Sequence, residues 1–460
     1  MLKIPFSLGV VHFCGIGGIG MSGIAEVMHH LGYNVQGSDI SDSSNVQRLQ
    51  KLGIKVFIGQ NKGNLENVDV LVASSDISED NPEYTEALKL QIPIVRRAQM
   101  LGELMKLKYG IAIAGTHGKT TTTSLAGTLL DVARFDPTIV NGGIINAYGT
   151  NARLGESEWI VVEADESDGS FLFLPSIVSI VTNIDLEHME HYKTEDLLVD
   201  TFLRFIEKLP FWGYLIACLD DERLRNLLPQ VKNTQVLTYG FHADSQIQGF
   251  NIQTEELGSR FDVKIKMKNS DERLIEGVAV SLIGDHNIQN ALSIVALAQA
   301  LKISDTVLKQ ALCSFSGVKR RFTHVGYLNG AKVIDDYAHH PVEIKAVLKA
   351  AKSVCKGKVF VVFQPHRYSR FSLLYKDFLE SFHDANSLLV APIYSAGEEI
   401  LEGFSNEKFV FDINHQDCSV VQNFEDAETF LLRNVQENDL ILCLGAGSIT
   451  MWAKDLGESH

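Results

Sequence analysis

The sequence predicts an α/β protein made of three consecutive domains, and three observations support this fold class. The chain has 460 residues, whereas a single hydrophobic core rarely extends beyond roughly 250–300 residues. Short β-branched runs alternate with longer helical patterns along the chain, which is typical of mainly parallel sheets covered by helices. Two glycine-rich loops each follow an apolar strand and precede a helix, as expected where parallel strands run into helices.

The predicted strands fall into three series, and each series opens a new domain. The first series begins at residues 9–13 and the second at residues 109–114. Residues 261–267 alternate strictly between apolar and polar, which predicts an antiparallel strand with one solvated face. The other predicted strands are 68–73, 159–162, 177–181, 333–334, 359–363, 388–392 and 440–444. We therefore expect domains at residues 1–107, 108–313 and 314–460.

The charge balance argues against a nucleic-acid-binding protein. Lysine and arginine number 41 against 57 aspartate and glutamate residues, which gives a formal net charge of −16. Nucleic-acid binding requires a basic surface that displaces counterions. Small anionic ligands are not excluded, because their binding depends on local charge.

Cysteine usage and hydropathy indicate a cytoplasmic protein. The six cysteines include no C-x-x-C pair, so the sequence predicts neither a zinc site nor a disulfide framework. No apolar stretch approaches the roughly 18 residues that a membrane helix needs, and the N-terminus shows no cleavage signal. We expect no membrane partner, and the sequence does not indicate an oligomeric state.

The first glycine-rich loop, Gly15-Ile16-Gly17-Gly18-Ile19-Gly20, matches the pattern G-x-G-x-x-G. It precedes a helical stretch at residues 21–31, and Asp39 lies about 20 residues further on. Glycines let a pyrophosphate approach the backbone amides at a helix N-terminus. The loop therefore favours a diphosphate ligand. Taken alone, it also fits a nicotinamide dinucleotide or a tight turn without a ligand.

The second glycine-rich loop, Gly115-Thr116-His117-Gly118-Lys119-Thr120, is similar to the end of a Walker A phosphate-binding loop. It departs from the full motif at Ile113, where a glycine is usual. The loop keeps Gly118 for close backbone approach, Lys119 for the β- and γ-phosphates and the Thr120 hydroxyl for Mg²⁺. The sequence therefore predicts an ATP site on the second domain.

Two residues that follow strands are candidates for further magnesium contacts. Glu163 ends one predicted strand, with Asp165 and Glu166 beside it, and Mg²⁺ takes one or two carboxylates together with phosphate oxygens and water. His188 follows the next predicted strand. A lone histidine in a loop is usually structural, but ligands lie at the carboxyl ends of parallel strands, and this position argues for a functional role of His188.

Six motifs occur together in one order along the chain. They are Gly17-Gly18-Ile19-Gly20-Met21-Ser22-Gly23, Gly115-Thr116-His117-Gly118-Lys119-Thr120, Glu163-Ala164-Asp165-Glu166-Ser167, His286-Asn287, Asp335-Asp336-Tyr337-Ala338-His339-His340-Pro341 and Gln364-Pro365-His366-Arg367-Tyr368-Ser369-Arg370. With these motifs the sequence resembles the Mur ligase family, and within it the branch that adds L-alanine. The resemblance covers essentially the whole chain.

The resemblance implies a three-domain enzyme of cytoplasmic peptidoglycan synthesis that uses ATP and Mg²⁺ or Mn²⁺. A Rossmann-like N-terminal domain would bind UDP-N-acetylmuramate. A P-loop ATPase-like central domain with a mixed sheet would bind ATP, and a Rossmann-like C-terminal domain would bind L-alanine. The family phosphorylates the muramoyl carboxylate, and the amine of the amino acid then attacks the acyl phosphate to form an amide. The first loop would thus hold a uridine diphosphate and not NAD.

The resemblance also implies roles for individual residues. The ATP contacts would be Gly115, Thr116, His117, Gly118, Lys119, Thr120, Thr121, Asn287, Arg320 and Asp336. The metal ligands would be Thr120 and Glu163 for one Mg²⁺ and His188 for a second. The UDP-sugar contacts would be Gly18, Ile19, Gly20, Ser38, Asp39, Ser74 and Ser75. The amino-acid contacts would be Tyr337, His366, Arg367 and Arg370, and the catalytic residues would be Lys119, His188, Arg320, His339, Arg367 and Arg370.

The sequence leaves three alternatives. The muropeptide-recycling ligase of the same family attaches a tripeptide to the same UDP-sugar, but its counterpart of residues 364–370 lacks the His-Arg-Tyr-Ser-Arg string found here. A non-catalytic nucleotide-binding regulator would keep the fold and lose the chemistry, and the intact Lys119 and Glu163 argue against it. An NAD-dependent oxidoreductase would bind nicotinamide at the first loop and have no affinity for a UDP-sugar.

Overall fold

The computed structural model describes residues 8–74, 76–255, 258–267 and 271–458, and the strands of these segments form three sheets. The chain groups into two compact units. The first unit comprises Met1–Asn251, Phe261–Val280 and Gln289–Ser316. The second unit comprises Ile252–Arg260, Ser281–Ile288 and Gly317–His460.

Five parallel strands form the N-terminal sheet of the described chain: β1 (Val10–Cys14), β2 (Asn34–Asp39), β3 (Lys55–Ile58), β4 (Val70–Ala73) and β5 (Ile94–Arg96). They lie in the order β3-β2-β1-β4-β5. The helices are α1 (Ile19–His30), α2 (Ser44–Lys51), α3 (Pro82–Lys89) and α4 (Arg97–Met105), with a 3₁₀ turn at Lys62–Leu65. Strand order reverses between β1 and β4, and ligands of such sheets bind at the carboxyl ends of the strands beside that point.

Ten strands of the described chain form the central sheet, in the order β15-β14-β13-β12-β11-β10-β6-β9-β7-β8. They are β6 (Tyr109–Ala114), β7 (Thr138–Ile145), β8 (Thr150–Arg153), β9 (Trp159–Glu163), β10 (Val178–Val181), β11 (Tyr214–Cys218), β12 (Gln235–Gly240), β13 (Ile247–Glu255), β14 (Gly258–Ile265) and β15 (Arg273–Val280). The helices are α5 (Lys119–Val132), α6 (Met189–Tyr192), α7 (Glu195–Ile206), α8 (Glu222–Leu227), α9 (Asp285–Ala300) and α10 (Asp305–Ser314), with 3₁₀ turns at Ser170–Phe173 and Leu228–Gln230. Because β7 and β8 pair antiparallel while β6, β9 and β10 pair parallel, the sheet is mixed, as predicted.

Six strands of the described chain form the C-terminal sheet, in the order β16-β17-β21-β18-β19-β20. They are β16 (Thr323–Leu328), β17 (Ala331–Asp336), β18 (Val359–Phe363), β19 (Ser387–Val390), β20 (Cys418–Val420) and β21 (Leu440–Leu444). The helices are α11 (Pro341–Val354), α12 (Tyr368–Leu373), α13 (Tyr375–Leu379), α14 (Asn406–Asp412), α15 (Phe424–Asn434) and α16 (Ile449–Glu458). β16 and β17 pair antiparallel, and the other pairs are parallel.

An aromatic cluster fixes the short helix α12 on the C-terminal sheet. The Phe371 side chain is fully buried, and its ring centroid lies 5.4 Å from those of Phe378 and Phe409. Phe363 at the end of β18 belongs to the same core. Burial of a phenylalanine contributes about 1.5–3 kcal/mol. The anchored ring therefore fixes the position of Arg370, which precedes it in the helix.

Most predicted strands are confirmed, and their ends differ for local reasons. The strand at 109–114 has the predicted bounds, and the alternation at 261–267 appears as buried Phe261, Val263 and Ile265 in β14. β4 begins two residues later than predicted, because Asn67 has a φ of 60° and turns the chain before the strand. Within the described segments, no helix is long and apolar enough to cross a membrane.

Candidate active site

The second glycine-rich loop, residues 115–118, connects β6 to α5 and requires glycine at both ends. Gly118 caps α5 with a φ of 82°, where an L side chain is strained. A Cβ on Gly115 would lie 2.1 Å from the Thr182 hydroxyl oxygen. The backbone N–H groups of the first turn of a helix have no partner within the helix, and such a turn is suited to binding phosphate.

Lys119, the first residue of α5, is the largely but not fully buried cation next to this loop. Its ammonium donates to the carbonyl oxygens of Gly115 (2.7 Å) and Thr116 (3.0 Å) and to Glu166 Oε1 (3.0 Å). Burial opposes the charge, but the neighbouring carboxylates, above all Glu166, outweigh burial and raise the pKa of Lys119. Lys119 is therefore a protonated side chain at the position where the sequence predicts the β- and γ-phosphates.

Thr120 and Glu163 meet beside Lys119 and form the candidate metal site. The Thr120 hydroxyl donates to Glu163 Oε1 at 3.2 Å, and the Gly142 N–H donates to Glu163 Oε2 at 2.8 Å. A Cβ on Gly142 would lie 2.5 Å from Glu163 Oε1, so a larger residue there would displace the carboxylate from this position. The 3.2 Å between the two side-chain oxygens resembles the roughly 3 Å between adjacent oxygens around octahedral Mg²⁺. This pair of hard oxygen ligands therefore fits Mg²⁺.

His188 lies between β10 and the short helix α6 with a φ of 58°. Its carbonyl oxygen accepts from the N–H groups of His191 (2.9 Å) and Tyr192 (3.1 Å), which holds its backbone. Burial lowers the pKa of His188, and the charge of nearby Lys119 lowers it further. The imidazole is therefore neutral near pH 7, the form that binds a metal. Its role as a metal ligand stays a prediction.

The segment after β10 also clamps the second loop, which the sequence reasoning missed. Asn183 Oδ1 accepts from the His117 N–H at 2.8 Å, and Asn183 Nδ2 donates to the His117 carbonyl at 3.1 Å. The Asp185 N–H donates to Thr116 Oγ1 at 2.8 Å. These bonds fix the loop from a neighbouring strand. The sequence feature that could have indicated these contacts is the string Thr-Asn-x-Asp, residues 182–185, directly after the apolar strand β10.

The first glycine-rich loop is held by the end of β2. The N–H groups of Gly15 and Ile16 both donate to the Ser38 carbonyl at 2.9 Å. The Gly17 N–H donates to Asp39 Oδ2 at 2.8 Å. Asp39, predicted to contact the UDP-sugar, therefore supports the loop that would bind the diphosphate.

Behind this loop lies a buried polar network that the sequence reasoning did not find. The Ser38 hydroxyl donates to Glu83 at 2.6 Å, and both side chains are fully buried. Glu83 also accepts from Asn64 Nδ2 at 2.6 Å and lies 3.2 Å from His12 Nε2. Burial opposes ionisation, but hydrogen bonds and the charge of His12 outweigh it and lower the pKa of Glu83 to about 2. The Ser38 side chain therefore serves this network.

The remaining predicted UDP-sugar contacts lie at the carboxyl ends of β1 and β4 or outside the described residues. Gly18 precedes α1, and Ile19 and Gly20 are its first two residues. Ser74 directly follows β4 and donates its N–H to a carbonyl of β1 at 3.2 Å. Ser75 lies outside the described residues. Their ligand contacts stay predictions.

In the second unit, Arg320 contacts the glycine-rich segment that follows β21. Its guanidinium donates to the carbonyl oxygens of Gly445 (2.5 Å) and Ala446 (3.2 Å) and lies 4.9 Å from the centre of the Tyr337 ring. Burial lowers the pKa of Arg320 from its very high ordinary value. The predicted contact of Arg320 with ATP would replace or join these bonds, and it stays a prediction.

Asp336 and Asn287, both predicted to contact ATP, are largely buried. Asp336 accepts from the N–H groups of Phe322 (2.7 Å) and Ala338 (2.8 Å), and burial raises its pKa to about 6. Asn287 lies in the first turn of α9, and its Nδ2 donates to the Ile283 carbonyl at 2.9 Å. Of the last two predicted ATP contacts in the first unit, His117 belongs to the clamped loop and Thr121 is buried in α5.

Four residues come together at the carboxyl ends of β17 and β18: the predicted amino-acid contacts Tyr337, His366 and Arg370, and the predicted catalytic residue His339. His339 Nδ1 lies 3.0 Å from the Tyr337 carbonyl, and the ring centroids of His339 and His366 are 6.0 Å apart. Arg370 Nη1 donates to His366 Nδ1 at 3.2 Å. Burial, helped by His339 and the arginines, lowers the pKa of His366 to about 3. His366 is therefore neutral, accepts at Nδ1 and carries its proton on Nε2.

Arg367 and two residues that the sequence reasoning missed complete this cluster. Arg367 precedes α12 with a φ of 65°, and its N–H donates to the Tyr394 carbonyl at 2.8 Å. The Tyr394 ring stacks on His366, with centroids 5.4 Å apart and an angle of 10° between the planes. Glu398 accepts from the Ser369 N–H (3.0 Å) and hydroxyl (2.6 Å) at the start of α12. No local motif marks Tyr394 or Glu398.

Comparison with known proteins finds similarity along almost the whole chain. Residues 10–109 match the model of the Mur ligase family catalytic domain, residues 113–298 that of the Mur ligase middle domain, and residues 320–447 that of the Mur ligase glutamate ligase domain. A UDP-N-acetylmuramate–L-alanine ligase of Agrobacterium fabrum is 49% identical over 99% of this chain and 98% of its own. One of Methylorubrum populi is 48% identical over 98% and 97%.

The fold is similar to solved structures of comparable length. The crystal structure of a UDP-N-acetylmuramate–alanine ligase from Thermotoga maritima has a TM-score of 0.82 and 28% identity, and the similarity covers 98% of this chain and 99% of that one. A murein peptide ligase from Psychrobacter arcticus has a TM-score of 0.73 at 21% identity over the same shares, which supports the fold alone.

Three α/β domains, a lysine-bearing phosphate loop and a carboxylate–hydroxyl pair beside it define a phosphoryl-transferring enzyme. The domain matches then identify the family: the chain belongs to the Mur ligase family. It is an ATP-dependent, amide-forming ligase.

Proposed function

We propose that the protein joins L-alanine to the carboxylate of UDP-N-acetylmuramate, using ATP and passing through an acyl phosphate. Relatives that carry this activity in their names are 48–49% identical to the chain over 98–99% of its length. We place the reaction in the cytoplasm, where ATP and nucleotide sugars are made, as a step of peptidoglycan precursor synthesis. Residues 1–107 would bind the UDP-sugar, 108–313 ATP, and 314–460 the amino acid.

The observation that carries the ATP half of the proposal is the position of Lys119. A carboxylate and an amine do not condense unaided, so a carboxyl oxygen must first become a leaving group. Transfer of the γ-phosphoryl group to that oxygen develops charge that a fixed cation stabilises. Lys119 is a largely buried, protonated side chain bound to the loop carbonyls, so it requires little reorganisation when the phosphates bind.

Thr120 and Glu163 would hold one Mg²⁺, and His188 would be a ligand of a second Mg²⁺. Bound there, the ion would neutralise phosphate charge and orient the phosphoryl group. Glu163 is prepared for this role because the Gly142 N–H holds one of its oxygens while the Thr120 hydroxyl contacts the other. The neutral form of His188 supports the same assignment.

The amine of L-alanine would bind beside His339 and His366 in the second unit. Because His339 Nδ1 lies 3.0 Å from the Tyr337 carbonyl and donates to it, Nε2 is the atom of His339 that would take the proton lost by the attacking amine. His366 has the opposite arrangement, with its proton on Nε2, and can donate to a carboxylate or phosphate oxygen. Arg367 and Arg370 supply forked donors suited to the α-carboxylate of the amino acid.

A phosphate-release assay tests this function. Purified protein is incubated with ATP, Mg²⁺ and UDP-N-acetylmuramate, and then with L-alanine or with the muropeptide tripeptide. We expect rapid phosphate release and a UDP-N-acetylmuramoyl-alanine product only with L-alanine. UDP-N-acetylglucosamine, which lacks the lactyl carboxylate, is the matched control and should give no release. Activity with the tripeptide alone would contradict the proposal, as would nucleotide binding without turnover.

A further inference from the structure

Arg97 links the start of α1, next to the first glycine-rich loop, with the acidic segment that follows β9. It is the first residue of α4. Its Nη2 donates to Asp165 Oδ2 at 3.2 Å, and a Cβ on Gly20 would lie 3.0 Å from its Nη1. One edge of the guanidinium is thus bound to the acidic segment after β9, and another lies against the start of α1. The side chain is 18% exposed, so it is held in place and still accessible.

The first loop supplies no cation of its own. Residues 15–20 contain neither lysine nor arginine, and α1 begins without a side-chain cap. A nucleotide diphosphate carries charge on two phosphate groups, and backbone N–H groups alone neutralise it only partly. Arginine is the side chain best suited to such a group, because its planar fork makes two charge-assisted hydrogen bonds at once.

Asp165 explains why the guanidinium stays in this position. Its Oδ1 accepts from the Ser167 N–H at 3.1 Å, while Oδ2 accepts from Arg97 at 3.2 Å. The carboxylate therefore binds Nη2 and leaves the Nη1 edge directed at Gly20. Because Asp165 follows Glu163 by two residues, the same ion pair connects the metal site with the first loop.

We propose that Arg97 binds the diphosphate of the UDP-sugar through its Nη1 edge, and that Asp165 is the positioning residue that holds it there. This inference rests on the proposed function, since it takes a uridine diphosphate as the ligand of the first loop. It adds a side-chain cation to a site for which the sequence predicted backbone, serine and aspartate contacts.

Calorimetric binding of UDP and of uridine separates this role from a structural one. Uridine lacks the diphosphate, so a contact with phosphate affects only UDP. We expect Arg97→Ala to weaken UDP binding by about 10- to 100-fold, the effect of losing a charge-assisted hydrogen bond, while uridine binding changes less than about twofold. Arg97→Lys keeps the charge and should recover part of the loss. ADP binding should equal that of the unchanged protein.

Two controls make the result decisive. Lys106→Ala removes a positive charge from the exposed end of the same helix, where Lys106 pairs with Glu103, and should leave UDP binding unchanged. Asp165→Asn should weaken UDP binding and spare uridine binding. Equal losses of UDP and uridine affinity in Arg97→Ala, or no loss in an otherwise active enzyme, would overturn the inference and leave the proposed function standing. Unchanged protein that binds no UDP at all would overturn both.

Discussion

The two glycine-rich loops of the first unit have a common backbone plan and different sources of charge. Each joins the end of a buried parallel strand to the start of a helix. The second loop carries its own cation, Lys119, and a hydroxyl beside a carboxylate. In the first loop the carboxylate of Asp39 binds the backbone, and Arg97, a cation beside Gly20, comes from another helix.

This difference separates phosphoryl transfer from ligand binding. A loop that must stabilise charge developing on a transferred phosphoryl group needs a fixed cation and a metal at that point. A loop that only holds a diphosphate needs backbone N–H groups and a cation that can come from elsewhere. Strand–glycine–helix geometry alone therefore indicates a phosphate ligand and does not indicate chemistry.

Lys119→Ala tests the difference most strongly. We expect turnover to fall by about 1,000-fold or more, because the cation at the phosphoryl group is lost, while the dissociation constant of UDP stays within about twofold. Steady-state phosphate release and calorimetry measure the two quantities. Lys106→Ala is the control for loss of one lysine, and circular dichroism checks the fold. An equal loss of both quantities would show that the two loops do not divide their roles.

Glu83→Gln tests the network behind the first loop. Folding lowers the pKa of Glu83 from 4.5 to about 2. The ionised carboxylate therefore stabilises the folded state fully at pH values above about 4.5, and this stabilisation is lost as the pH falls from about 4.5 towards 2. A difference of about 2.5 pKa units corresponds to roughly 3 kcal/mol at pH 7. Urea unfolding of the variant should show a loss of this size at pH 7 that shrinks below pH 4. The exposed Glu103→Gln serves as control, and a loss independent of pH would contradict this explanation.

The alternation of strands and helices predicted much of the fold, because periodicity is a local property. The strand ends at Ala114 and Glu163 were predicted correctly, and with them the edge that carries the phosphate loop. The turn at Asn67 was not predicted, since an asparagine with positive φ leaves no pattern in the neighbouring residues. Nor could composition reveal that the first two sheets group together in one unit.

The site was predictable where its residues are neighbours in sequence. Lys119 and Thr120 follow their glycines directly. Arg97 was missed because its contacts, Gly20 and Asp165, are distant in sequence and no motif includes them together. For Arg320, the family resemblance implies a contact with phosphate, which stays a prediction. Its bonds to the segment after β21 could not be predicted, because only the folded sheet brings that segment near.

Glu163→Gln tests the carboxylate at the second loop. The amide cannot bind a cation as the carboxylate does, so we expect the Mg²⁺ concentration for half-maximal activity to rise by about 10- to 100-fold. Activity should recover in part at high Mg²⁺. Asp39→Asn is the comparison at the first loop, and it should leave the Mg²⁺ requirement unchanged. If Glu163→Gln needs the same Mg²⁺ concentration for half-maximal activity as the unchanged protein, Glu163 is not a metal ligand.

Two separate variants, Gly118→Ala and Gly20→Ala, should have the smallest effects. They distinguish a glycine needed for backbone conformation from one needed for ligand approach. Gly118 has a φ of 82°, and a Cβ there would lie 2.6 Å from Asn290 Oδ1, so Gly118→Ala should lower the free energy of unfolding by about 1–2 kcal/mol and weaken ADP binding. Gly20 lies within α1, where alanine favours the helix by about 0.5–1 kcal/mol, and the Cβ would lie 3.0 Å from Nη1 and 3.1 Å from Cδ of Arg97, so that side chain would have to shift. Gly20→Ala should therefore keep its stability and lose UDP affinity alone. Urea unfolding and calorimetry measure both changes. A stability loss in Gly20→Ala as large as that in Gly118→Ala would mean that both loops need glycine for backbone conformation and that ligand approach does not distinguish them.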